Sequence, residues 1–88
     1  MKLPMFCIRD NLTGFMTPTL DQNDATASRN FALACDAAKR DTSLMAFRPS
    51  DYSLFKIAYF DSETGILSPL VPIELVVDGS SFGGKVNA

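Results

Sequence analysis

Arg9, Lys56 and Phe60 are the residues of this chain whose types and spacing point to chemistry. In "MFCIRD", Phe6 and Ile8 alternate with Met5, Cys7 and Arg9; in "KIAYFD", Ile57 and Tyr59 alternate with Lys56, Ala58 and Phe60. Successive side chains of a strand point to opposite faces. Phe6, Ile8, Ile57 and Tyr59 are therefore expected on a core face, and Arg9, Lys56 and Phe60 on the other. Two cations beside a ring suit a single nucleic-acid strand: the cations neutralise phosphates, and a base stacked on the ring gains about 1–3 kcal/mol. The same residues also suit an ordinary half-wet sheet face whose ring is covered by a helix or a partner, and the residues alone leave both readings open.

Other chemistries find little support. The chain has no His, the commonest general base and metal ligand. Its two cysteines, Cys7 and Cys35, lack CxxC spacing and are too few for a zinc site, so both are expected as free thiols packed like small hydrophobes. No GxGxxG or GKS/T phosphate loop is present. The ten carboxylates fall at turns, caps and helix exits, where each has a structural task. A non-enzyme without cofactor or metal is expected.

With 88 residues the chain has room for one domain. A domain of this size buries only about 60% of its unfolded surface, which makes self-association, most simply a dimer, an expectation. Hydrophobic residues make up 47% and charged residues 20%, a folded composition. A net charge of −2 argues against binding duplex DNA through a global positive field. A local cationic stripe would then bind with modest, salt-sensitive affinity, raised when several subunits line up along one strand. The start "MKLPMFCIRD" meets Arg and Asp too early for a secretory leader, and no run approaches the roughly 18 apolar residues of a membrane span. No membrane association is expected.

Positioning those residues requires a scaffold, and the chain spells one phrase twice: "IRDNLTGFMTP" and "YFDSETGILSP". In each, the Asp can accept backbone N–H bonds two or three positions on, and the Gly can take a positive φ. The phrase predicts one hairpin near each end: "LPMFCIRD" with "GFMTPTL", and "FKIAYF" with "ILSPL". Between them, Asp21 or Asn23 can cap a helix whose stripe is Ala27, Phe31, Ala34, Cys35 and Ala38, with Lys39 and Arg40 at its C-terminal end. Leu33 lies off that stripe, as part of a broad buried face or as an oligomer contact. "SLMAF" reads as a short strand or a turn, and "RPSDYS" as loop. "PIELVV" reads as a last strand with Ile73, Leu75 and Val77 on one face and Glu74 and Val76 on the other. The expected fold is α+β, one helix across a mostly antiparallel sheet over residues 1–78, followed by a mobile Gly/Ser-rich tail at 79–88.

Three blocks in this order, "IRDNLTGFMTPTL", "NDATASRNFALA" and "DYSLFKIAYFDSETGIL", resemble the small nonstructural protein of gokushovirus-type microviruses, which are single-stranded DNA phages. That family carries a strand ending in R-D with a T-G-F turn, an N-D-A…R-N-F helix, and a D-[FY]-S-L-[FY]-x-[IL]-x-x-F-D-x-x-T-G hairpin. The resemblance covers residues 2–78. It implies a DNA-binding protein that acts in the host bacterial cytoplasm, at the switch from copying duplex DNA to making single-stranded genomes for packaging. Arg9, Arg29, Phe31, Tyr52, Phe55 and Phe60 fall on family motif positions, and of these Phe31 and Phe55 fit the core better than a site. Arg29, on the exposed side of the helix, and Arg48, beside a loop, are candidates to extend a phosphate track from Arg9, Lys56 and Phe60. The expected partner is single-stranded DNA, with phage replication or capsid proteins as further partners. The rival reading is a protein–protein adaptor of the replication or packaging machinery, supported by the acidic charge, Leu33 and the apolar "ILSPLVPI".

Overall fold

The computed structural model describes residues 1–39 and 41–82. Strand β1 (Lys2–Asp10) turns through residues 11–13 into two short strands, β2 (Gly14–Phe15) and β3 (Thr19–Leu20), which both pair with it antiparallel. Helix α1 (Asp24–Ala34) follows, then a one-turn helix α2 (Leu44–Phe47), and then the long strands β4 (Tyr52–Asp61) and β5 (Leu67–Asp78). The sheet order is β2-β1-β4-β5, all antiparallel, with β3 beside β2 on the outer edge of β1. The α+β architecture with a helix on one sheet face is the expected one.

The repeated phrase is hairpin grammar. The Asp10 carboxylate accepts from the Leu12 N–H and the Asp61 carboxylate from the Glu63 N–H, each at 2.9 Å. Gly14 and Gly65 sit at φ 120° and 77°, where a side chain would be strained. The Glu63 N–H bond, aided by the nearby N-terminal ammonium, holds the Asp61 carboxyl below its ordinary range.

Helix α1 is capped by Asn23, whose side chain accepts the Thr26 N–H at 2.8 Å. It ends at Ala34, earlier than the stripe through Ala38 predicts. The reason is local: the Asp36 carboxylate accepts the Ala38 N–H at 3.0 Å, which favours a turn over helix continuation, and Ala38 is exposed. Ala27, Phe31 and Cys35 are buried against Phe6, Tyr52 and Leu54. Ser43 caps α2 through the Ala46 N–H, so "SLMAF" is a helical turn rather than a strand.

Three expectations are corrected. "ILSPL" and "PIELVV" form one strand, with Pro69 and Pro72 tolerated because β5 lies at the sheet edge. Its faces differ from a simple alternation: Glu74 pairs with Lys56 and Leu75 with Phe55, but Val77 pairs with Leu54, so Val76 is an extra residue and both valines pack on the core. The segment expected to begin a mobile tail is folded through residue 82. The Gly79 N–H donates to the Tyr52 carbonyl at 2.8 Å, a Cβ at Gly79 would overlap the Pro49 carbonyl oxygen, and the Phe82 ring lies 6.0 Å from Phe31. The rest of the expected tail, residues 83–88, lies outside the described residues.

Candidate nucleic-acid interface

The sheet has a helix-covered face and an open face, and the cross-strand register decides which side chains share each. Phe6 pairs with Lys56 and Ile8 with Leu54. Phe6 and Leu54 belong to the core under α1, so Lys56 also points toward the helix. Its ammonium contacts both Asp24 carboxylate oxygens at 3.2 Å and Glu74 at 3.4 Å, and the residue is 8% exposed. Burial works against the charged amine, but hydrogen bonds to Asp24, Tyr59 and Glu74 outweigh it and hold the Lys56 pKa well above its ordinary value. Lys56 is thus not a partner of Arg9 on the open face. The cause is a bulge: β1 passes from Met5↔Ala58 to Phe6↔Lys56, leaving Ile57 without a partner and resetting the alternation of β4. Tyr59 then lies on the same side as Lys56, its ring 5.6 Å from the ammonium. Ile57, expected beside Tyr59 in the core, is half-buried in the bulge.

On the open face, Arg9 pairs with Phe15 across the first hairpin and with Ser53 on β4. The guanidinium lies 5.7 Å from the Phe15 ring centroid, within cation–π range. Phe15 in turn meets Phe55 edge-on, with centroids 5.7 Å apart at 67°. Asn11 ties the cluster to the turn: its side-chain oxygen accepts from Arg9 Nη1 at 3.3 Å and from the Ser53 hydroxyl at 3.4 Å. Beneath it, the Cys7 thiol donates to the Met16 carbonyl at 2.9 Å, and burial pushes its pKa up, against the lowering effect of that bond. Among the described residues Arg9 has no carboxylate partner, and Phe15 is 51% exposed. The cluster therefore offers a cation and a half-bare ring to solvent.

The other expected site residues do not join it. Phe60 lies beyond the bulge, between Leu3 and Leu67 and half-buried, roughly 15 Å along β4 from Phe55. Arg29 is exposed on α1, in the helical layer behind the sheet. Arg48 borders a cleft of about 360 Å³ with Leu12, Leu44, Phe47 and Tyr52, but Asp10 and Asp51 line the same cleft. Its guanidinium is 3.5 Å from Asp51, which makes that cleft a poor anion site. Phe15 and Phe55 are the residues that sequence reasoning missed. The hairpin turn carries a usable signal for the first, since pairing Asp10 with Gly14 places Phe15 opposite Arg9.

What emerges is a small α+β domain with one helix-covered face and one open sheet face that carries a cation–aromatic cluster. The model of the Phage ORF5 protein family matches residues 3–82, and the chain belongs to that family of small phage proteins. Neither a curated protein nor a solved structure matches the chain. Among the described residues, no helix is long and apolar enough to cross a membrane.

Proposed function

We propose that this chain is a nonstructural protein of a gokushovirus-type phage that binds single-stranded DNA with little sequence preference. It acts without enzymatic activity or cofactor, in the host bacterial cytoplasm, where viral genomes are replicated and packaged. The observation that carries this reading is the Arg9–Phe15–Phe55 cluster, a cation without a carboxylate partner among the described residues, beside an exposed ring on the open sheet face. Arg9 can neutralise a phosphate while a base stacks on Phe15, and neither contact depends on base identity. The net charge of −2 keeps each subunit's affinity modest and salt-sensitive.

Fluorescence anisotropy with labelled oligonucleotides at low and moderate salt tests this. Wild-type protein binds single strands, Phe15→Ala loses about 1–3 kcal/mol of affinity at every sequence, and Arg9→Ala lowers the salt dependence. No binding by wild type at low salt, or wild-type binding by both variants, rejects the assignment.

The adaptor reading is favoured by a different observation, the cleft where Leu12 and Phe47 are 78% and 59% exposed. Partners captured from infected cells that survive nuclease treatment would support it instead.

A further inference from the structure

The one-turn helix α2 presents large apolar residues on both of its sides. Met45 packs against the core and Ala46 is fully buried. Leu44 and Phe47, three residues apart, share the outward side, where a helix packed on a core ordinarily carries polar residues. Leu44 is 64% exposed, and Phe47 more than half. A third large apolar side chain comes from a different part of the chain: Leu12, in the first hairpin turn, borders the same cleft of about 360 Å³. The cleft floor is Tyr52, which is itself part of the core. Three exposed apolar residues around one concavity mark an interaction surface.

The walls of the cleft are tied to one another by the backbone. The Asn11 N–H donates to the Asp51 carbonyl at 2.8 Å, joining the hairpin turn to the turn at Pro49–Asp51. The Asp51 N–H donates to the Arg48 carbonyl at 3.0 Å and the Arg48 N–H to the Leu44 carbonyl at 2.9 Å, joining that turn to α2. A rim fixed in this way loses little freedom on binding. Its charge is acidic. Asp10 and Asp51 face one guanidinium, Arg48, which lies 3.5 Å from Asp51, so one negative charge is left over. Both carboxylates are felt at the floor: after burial, Asp10 and Asp51 are the next causes that hold the Tyr52 hydroxyl above its ordinary pKa.

We propose that this cleft docks a short segment of another protein in which large apolar side chains stand beside a lysine or arginine. The apolar side chains cover Leu12, Leu44 and Phe47, and the cation meets the negative charge that Arg48 leaves on the rim. The same charge turns away polyanions, so the cleft and the Arg9 cluster select opposite partners. The proposal gives a chemistry to the partner of the adaptor reading and rests on that reading; it does not depend on DNA binding.

Selection of random peptides of about 12 residues on the immobilised full chain tests this chemistry. Peptides that combine Leu, Phe or Met with Lys or Arg are enriched. Fluorescence anisotropy with a selected peptide then shows affinity at least about tenfold weaker for Phe47→Ser, and the same for Leu12→Ser. The two substitutions replace exposed side chains on different elements, so misfolding of one leaves the other as the readout. Asp51→Asn weakens binding about threefold, whereas Glu63→Gln, an equal loss of charge in the second hairpin turn, leaves it unchanged. Enrichment of acidic or uncharged peptides, no enrichment at all, or a selected peptide that binds folded Phe47→Ser or Leu12→Ser like wild type overturns the proposal. A dimer of the full chain that Phe47→Ser dissociates in sedimentation identifies a second copy as the occupant and also rejects it. Nuclease-resistant partners captured from infected cells, with no binding of basic peptides, reject this chemistry and leave the adaptor reading standing. Basic peptides that bind in the cleft while no such partner is captured reject the adaptor reading and leave the cleft's preference standing.

Discussion

The two faces of the sheet hold the same kinds of residue to opposite ends. Beneath α1, a cation next to a ring is consumed internally: Lys56 is shared between Asp24 and Glu74, packs near Tyr59 and is nearly covered. On the open face, Arg9 lies over Phe15 with only the Asn11 amide as a polar partner among the described side chains. The helix accounts for the difference. It brings Asp24, an anion suited to its own N-terminus, down onto β4, and among the described residues no element brings an acid to Arg9. Residue type alone therefore does not distinguish the two faces; the partners that the fold gives each cation do.

The sharpest way to break this comparison is to delete a ring from each face. Phe6 is fully buried, so Phe6→Ala costs about 3–5 kcal/mol in chemical denaturation, enough to unfold much of a domain this small. Phe15→Ala costs about 1 kcal/mol or less, since the ring is already half in water. Equal losses would mean that the open face is core.

Swapping the cations for methionine gives a smaller contrast. Lys56→Met removes a covered ammonium but leaves two carboxylates that are each about half exposed and can rehydrate. The expected loss is about 1–2 kcal/mol, below that for a fully buried pair, against about 0.5 kcal/mol or less for Arg9→Met. A Lys56→Met protein as stable as wild type would show the pair to be idle.

The smallest effect is in alkali. Burial lifts the Cys35 thiol to about 11, above the roughly 8.5 of an unfolded thiol. A group whose folded pKa is raised stabilises fully below its unfolded pKa and loses that contribution as pH rises through the folded value. The melting temperature of wild type therefore falls as pH rises from about 8.5 to about 11. Cys35→Ala removes part of that slope. Tyr52, raised first by burial and then by Asp10, Asp51 and Cys35, and Lys56 act in the same direction. An unchanged slope in Cys35→Ala would show that the thiol does not report on the core.

Much of the scaffold was legible because its causes are local. The Asp10 and Asp61 turns and the Asn23 cap are each settled by contacts within three residues. Arg9 was placed on the open face by alternation along an unbroken stretch of β1. Lys56 was misplaced because the Ile57 bulge arises from the pairing of β4 with both neighbours, which nothing within "FKIAYF" announces. Phe55 fits the core in the sequence reading, whereas in the structure Leu54 takes that place and sends the next ring outward.

Composition, turn chemistry and capping determined an α+β fold with two hairpins and one long helix, since those signals act over a few bonds. Tertiary structure alone decided which cation is neutralised and which finds no acid among the described residues. Charge pairing across a sheet depends on register, and one extra residue in a strand moves a side chain from solvent to core.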